Sequence, residues 1–366
     1  MTDKKTHKKN SEPLFYITKR TNVSFKLAIM TRAIAVVSAF VIMSIIMSLL
    51  SKETPFTIIA SMFDGAFGTG LRTWILFSDT AVLLGISLAL TPAFKMKFWN
   101  CGGEGQVLVG ALISAMMLLF VGDKVPLVLL IALSAVLSTA IGAVWGFIPA
   151  VFKAKWNINE TLFTLMLNYI AIQLITYFLK MFGNAQGNLE PMPKFAIPKI
   201  FGGSYFLNIL VILLICAVMY VYLRFSKQGY EISVVGESER TAKYVGINVS
   251  KVIIRTMIIS GALCGFIGFL LVANGSYTVT TTIADGRGFT AILVSWLGKF
   301  NPIYMILTSL LVVFLQRGTS FMGEIYRLDT SMADIYVGVV LLLIIGSEFF
   351  INYKVNFRKK SKGGDN

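Results

Sequence analysis

Gly229-Tyr-Glu-Ile-Ser-Val-Val-Gly-Glu-Ser-Glu-Arg-Thr-Ala-Lys-Tyr-Val-Gly246 is a polar island between two stretches that carry no Lys, Arg, Asp or Glu. The stretch before it runs from Tyr205 to Leu223, and the one after it from Thr256 to Tyr277. A bilayer core accommodates a helix of about 20 apolar residues, so both stretches read as membrane spans. The island must then lie on one membrane face, and what it touches there decides what the protein does.

The rest of the chain has the same character. It is 56% hydrophobic and only 14% charged, where a soluble domain carries about 25% charged residues. Apolar runs of bilayer length fall at 28–50, 73–94, 105–122, 126–152, 160–179, 205–223, 256–275, 287–298, 302–318 and 332–352. The expectation is an all-α polytopic membrane protein of about ten transmembrane segments. The eighth run is short for a full crossing, which leaves it tilted or re-entrant. Residues 51–72 read as an external loop or a short interfacial helix. The first run, Ala33 to Leu50, follows a long basic segment and no Ala-x-Ala pattern follows it, so it reads as a retained helix and not a cleaved leader.

Charge sets the orientation. With the N-terminus in the cytoplasm, the inner segments hold about 24 of the 33 Lys and Arg, and every inner loop takes part. This is the positive-inside pattern. It places both termini in the cytoplasm, with basic tails at 1–27 and 353–366 flanking a transmembrane domain at 28–352. It also puts residues 224–255 on the cytoplasmic face. The net charge of +15 is accounted for in this way. Basic residues scattered among membrane loops do not make a nucleic-acid surface.

Several kinds of chemistry are absent from the sequence. His7 is the sole histidine. Cys101, Cys216 and Cys264 lie far apart without zinc spacing and read as small buried apolar residues. No cofactor, metal or catalytic residue is expected. An integral membrane enzyme would need an acid pair or a His/Cys constellation on an interfacial loop, and none is present. An ion-driven secondary transporter would need intramembrane charges, and only Asp79 lies far from an inner end.

Polar groups within spans are costly and face a cavity or a partner. Glu160, Thr161, Thr164 and Asn168 fall at about 0°, 100°, 40° and 80° on a helical wheel, which makes one polar arc. They could line a path or gate, or bond between helices. Asn100-Cys-Gly-Gly-Glu-Gly-Gln106 joins two spans on the inner face, with Glu104 at a helix start where the dipole favours an anion. Asn100, Glu104 and Gln106 are candidates for either an inner gate or helix capping. Asp79, between Ser78 and Thr80, could line a hydrated pore or make a structural hydrogen bond. Gly261, Gly265 and Gly268, like Gly142 and Gly146, have the spacing of close helix packing. Gly183 to Ser204, with Pro191, Pro193 and Pro198, reads as an external loop.

The island itself reads as two short helices joined at Gly236 and stopped by Gly246. It is either a solvated loop that fixes topology or a receiver of force from a soluble motor.

The order of these motifs narrows the choice. The run 229–247, followed by Ser260-Gly-Ala-Leu-Cys-Gly265, resembles the cytoplasmic loop of bacterial ABC-importer permeases for branched-chain amino acids, simple sugars and nucleosides. Asn100 to Gln106 resembles that family's Asn-x-Gly-x-Glu-Gly-Gln signature. Gly288-Phe-Thr-Ala-Ile292 and Leu297-Gly-Lys-Phe-Asn-Pro302 resemble its late elements. Glu160-Thr-Leu-Phe-Thr-Leu-Met-Leu-Asn-Tyr169 is similar to the longer permease of nucleoside or simple-sugar importers. The resemblance spans about residues 75–345. Cys101 and Ser295-Trp296 depart from the pattern.

The resemblance implies a multi-pass subunit in the bacterial cell membrane that is not itself an enzyme. Its partners would be cytoplasmic ABC ATPases, a second, different and shorter permease, and an external substrate-binding lipoprotein. The chain has no Gly-x-x-x-x-Gly-Lys-Ser/Thr loop to bind ATP, and Gly65-Ala-Phe-Gly-Thr-Gly70 lacks the lysine. The ATPases would grip the island through Gly236, Glu237, Arg240, Ala242, Lys243, Tyr244 and Gly246. Nucleosides are the first expectation for cargo, simple sugars of the ribose or galactose type the second, and branched-chain amino acids the third.

Overall fold

A computed structural model of the chain describes residues 15–20, 24–184, 189–192 and 205–357. His7, Pro193 and Pro198 lie outside the described residues. The chain divides into two compact units, Met1–Gly65 with Gly318–Asn366, and Ala66–Arg317.

The smaller unit contains β1 (Phe15–Lys19), α1 (Phe25–Ser51) and most of α2 (Pro55–Phe67), which occupies the region left open between a loop and a short helix. Here α1 packs along a helix near the other end of the chain, through an Arg32–Glu348 ion pair and a Ser44–Tyr336 hydroxyl contact of 3.4 Å. β1 pairs antiparallel with β2 (Tyr353–Phe357), Phe15 facing Phe357 and Lys19 facing Tyr353. This two-stranded ribbon is an addition to the helical pattern. It arises where alternating β-formers such as Phe15-Tyr-Ile-Thr18 and Tyr353-Lys-Val355 leave the spans.

The larger unit contains α3 (Gly70–Lys95), α4 (Gly103–Val121), α5 (Leu127–Trp156), α6 (Glu160–Phe182), α7 (Tyr205–Phe225), α8 (Lys227–Glu237), α9 (Glu239–Tyr244), α10 (Val249–Leu271), α11 (Arg287–Leu297) and the first part of α12 (Pro302–Tyr326). The smaller unit takes the rest of α12 and α13 (Thr330–Asn352). Among the described residues, 9 helices are long and apolar enough to cross a membrane.

The core of the larger unit is a seam of α5 and α4 against α10. At Gly142, Gly146, Gly261 and Gly265 an added Cβ would collide with the backbone of the facing helix. With no side chain between them, these backbones touch, which is how membrane helices gain packing without a hydrophobic driving force. Gly268 meets Val107 and Ala111 of α4 in the same way.

The eighth apolar run forms α11, which has 11 residues. At 1.5 Å per residue it is about 16 Å long, roughly half of a hydrocarbon core. Its path is fixed by α3. Arg287 reaches Asp79 in the middle of α3, while Ser295 bonds the Ser87 carbonyl and Thr91, further along. The chain leaves α10 through a π turn (Val272–Ser276), doubles back through turns at 281–286, and becomes helical only beside the middle of α3. Short left-handed steps bracket the half-helix: Asp285 (φ 53°) and Gly286 before it, Lys299 (φ 51°) and Phe300 (φ 56°) after it.

Candidate functional site

Two broken elements meet inside the larger unit. The first is the segment between α3 and α4. Its Asn100 is fully buried and donates to Ser260 Oγ, in the middle of α10, at 3.3 Å. Asn100 to Gln106 therefore does not form a loop across the inner face, as its position between two spans suggested. It runs back into the bundle, and α4 starts there. Glycines at 102, 103 and 105 make this possible, and at Gly105 a Cβ would lie 2.7 Å from Asn168 Oδ1.

The polar arc of α6 holds this segment in place. Asn159 caps α6 by accepting the Thr161 and Leu162 N–H groups, which fixes the helix start. Thr164 Oγ1 then accepts the Cys101 N–H at 3.2 Å. Asn168 accepts the Gly105 N–H at 2.8 Å and donates to the Cys101 carbonyl at 2.9 Å. Both ends of the Asn168 amide are thus committed to backbone. Between the readings left open for Asn168, the geometry is that of an inter-element hydrogen bond. Glu160 stands apart from this set and pairs with Lys153 of α5 at 2.9 Å. Gln106 is buried and lies 3.5 Å from Asn100.

The second broken element is the start of α11. Glu104 reaches across to it and accepts the Gly286 N–H at 3.0 Å and the Gly288 N–H at 2.7 Å. These N–H groups would otherwise lack partners at a helix N-terminus, and the carboxylate also sits favourably in the α11 dipole. Beside this cap, Asp79 accepts from Arg287 at 3.0 Å and from Arg317 Nε at 2.6 Å, with Arg317 Nη2 closing a second contact. One carboxylate thus ties α3, α11 and α12 together. The sequence reading found Asp79 but missed both arginines, which it counted with the external basic residues. Arg317 inside an otherwise apolar span, and Arg287 at the head of the short eighth run, were the available signal.

The departures from the family pattern have separate surroundings, Cys101 being held by Thr164 and Asn168. Ser295 is buried against Ser87, and Trp296 stacks on Trp99 with centroids 5.7 Å apart.

The polar island folds as a hairpin of α8 and α9 at the end of the bundle where α3 stops and α10 starts. Ser226 and Ser238 cap the two helices by accepting the Gly229 and Thr241 N–H groups, contacts worth about 1 kcal/mol each. The joint is Ser238, not Gly236. Gly236 lies within α8, where a Cβ would collide with the Lys95 carbonyl. Gly246 does end α9: with φ 82° it lets the Ile247 N–H reach the Ala242 carbonyl at 2.9 Å, a Schellman closure. Ile232, Val235 and Ala242 enter a buried cluster with Ala93, Ala150 and Val252. An ion pair of 2.9 Å from Glu231 to Arg255 fastens α8 to α10. Of the expected grip residues, Gly236 and Ala242 face inward and anchor the hairpin. Glu237, Arg240, Lys243, Tyr244 and Gly246 face outward, and Tyr244 is 92% exposed.

Long apolar helices, polar broken elements inside the bundle and a soluble hairpin docked at one end define a multi-pass membrane permease. Residues 70–345 match the family described as branched-chain amino acid transport system / permease component, and the chain belongs to it. It is a cell-membrane permease subunit of the ABC type, a class without catalytic activity of its own. The chain is 27% identical over 314 residues to the glucose ABC transporter permease protein TsgB13 of Haloferax volcanii, covering 81% of each. It is 26% identical to the guanosine ABC transporter permease protein NupP of Bacillus subtilis, over 84% of this chain and 89% of that one. It is 27% identical to the nucleoside ABC transporter permease protein NupB of Lactococcus lactis, over 85% and 90%. No solved structure matches the chain.

Proposed function

We propose that this chain is one of two permease subunits enclosing a path for nucleosides. In this reading an external binding lipoprotein delivers the solute and cytoplasmic ABC ATPases drive its passage. The α8–α9 hairpin is the observation that carries the coupling role. Its inner side is fixed in the bundle core, and its outer side offers Glu237, Arg240, Lys243 and Tyr244 to a soluble partner. Such a hairpin passes a push from an ATPase into α3 and α10 without a flexible joint between. The bias of Lys and Arg toward the hairpin side supports its cytoplasmic placement and that of both termini.

Nucleosides are favoured as cargo by the two relatives named for guanosine and nucleoside, and by the likeness of residues 160–169 to longer nucleoside permeases. The relative named for glucose keeps simple sugars as the second reading. Membership of an ABC family sets aside an ion-driven mechanism. In proteoliposomes carrying the whole complex, ATP should drive guanosine uptake, and Glu237→Arg should leave ATP hydrolysis running while uptake falls about tenfold or more. Full coupled uptake by Glu237→Arg would rule out the contact. Uptake of glucose but not guanosine would favour the second reading.

A further inference from the structure

We propose that Arg317 is a solute-contacting residue of the path, with Asp79 and Arg287 serving as its positioning residues. The inference rests on the reading of this chain as a path-forming permease.

The first observation is the charge within the trio. Asp79 is one acceptor between two guanidinium groups, bonded to Arg287 through one oxygen and to Arg317 through the other. The Asp79 and Arg287 side chains are 14% and 15% exposed, and together they make a largely buried ion pair. Two further carboxylates lie nearby: Glu104, occupied by the Gly286 and Gly288 N–H groups, and Asp285, in the turn just before Arg287. Arg317 therefore adds a second cation to an acid already paired.

The second observation is where that cation points. The Arg317 side chain is 46% exposed, although it sits within α12, a helix long and apolar enough to span the membrane. A charged group facing lipid at mid-helix costs about 2.5–3.5 kcal/mol on insertion scales, so exposed intramembrane arginines face water or a polar partner. Arg317 turns Nε and Nη2 to Asp79. That side-on grip fixes the plane of the guanidinium and leaves the Nη1 edge directed away from the carboxylate. A planar fork of N–H donors held in one orientation suits the carbonyl, ring and hydroxyl oxygens of a nucleobase or sugar.

The chemical class implied is a neutral, oxygen-rich solute that accepts hydrogen bonds. Because Asp79 also holds Arg287 at the start of α11, solute binding at Arg317 would be felt at the half-helix.

The test uses the complete complex in proteoliposomes with guanosine as the probe. Arg317→Met should raise the guanosine KM about tenfold or more, and Arg317→Lys should restore part of the loss. Arg317→Cys should react with a charged, membrane-impermeant thiol reagent faster than the background set by the native cysteines. Guanosine-loaded binding protein should slow that reaction. A native KM in Arg317→Met, or an Arg317→Cys thiol that stays unreactive in a complex still hydrolysing ATP, would overturn the proposal. If Arg317→Met does not assemble, the Arg317→Lys KM and the cysteine protection decide the matter. ATP-dependent uptake by the native complex is scored separately. A native complex that moves glucose and not guanosine overturns the cargo assignment alone, and the Arg317 measurements are then read with glucose.

Discussion

Glu104 accepts the Gly288 N–H at 2.7 Å, so the acid at the start of one broken element caps the start of the other. The two N-termini, more than 180 residues apart in sequence, are joined by a single side chain. Hydrogen bonds to a charged acceptor contribute about 1.5–3 kcal/mol each, and Glu104 makes two.

Removing that acceptor should therefore be costly. Glu104→Ala leaves the Gly286 and Gly288 N–H groups unmet, and we expect a lower unfolding temperature in detergent together with loss of uptake. Glu104→Gln keeps one acceptor oxygen and should fall between Glu104→Ala and the native protein. Thermal unfolding of the purified complex checks the order. Three equal midpoints would remove the cap from the account.

Asn168→Leu should uncover a buried donor at Gly105 and a half-buried acceptor at Cys101, at a cost of about 1–3 kcal/mol. Its hydropathy still suits a span, so insertion should persist while the unfolding midpoint and the uptake per inserted molecule both drop. A native midpoint would contradict the clamp seen here.

The α5–α10 seam should not accept volume. Gly265→Val places side-chain atoms against the Ser138 carbonyl and Gly142, and overpacking costs about 1–3 kcal/mol or more when the obstacle is backbone. We expect little folded protein in the membrane. Gly70→Ala is the matched control, since nothing lies within 4 Å of the added carbon. Equal yields of the two variants would show that the seam can open.

The hairpin should separate by face. Tyr244→Ala removes an exposed ring and should leave folding intact while lowering ATP-driven uptake. Ala242→Leu forces volume into the buried cluster and should lower the unfolding midpoint itself. Thermal melts beside uptake assays tell the two apart, and a destabilised Tyr244→Ala would contradict the outward placement.

Hydropathy located the spans, and a helical wheel singled out Thr164 and Asn168, because both depend on neighbours close in sequence. The Asp79–Arg287 and Asp79–Arg317 contacts lie 208 and 238 residues apart in sequence, and no local pattern announces them. The inward course of Asn100 to Gln106 was hidden for a related reason. A short glycine-rich segment between two spans reads as a surface turn until Ser260, Thr164 and Asn168 are known to lie around it. Gly236 was misread as a joint because a glycine near a helix end fits two roles, chain reversal and close approach. The Lys95 carbonyl decided for the second.

The backbone seam limits how this bundle can deform. Where α5 and α10 touch without side chains between them, sliding by even a fraction of a turn would drive a carbonyl into a Cα, and packed interfaces do not deform continuously. These helices must travel as one rigid block. α11 touches that block through backbone at its N-terminus, where Gly288 lies against Glu104 at the start of α4. Any alternation of access that moves α11 must turn about that end. α11 is short, has left-handed steps at both ends, and is moored at its N-terminus by Glu104 and Asp79.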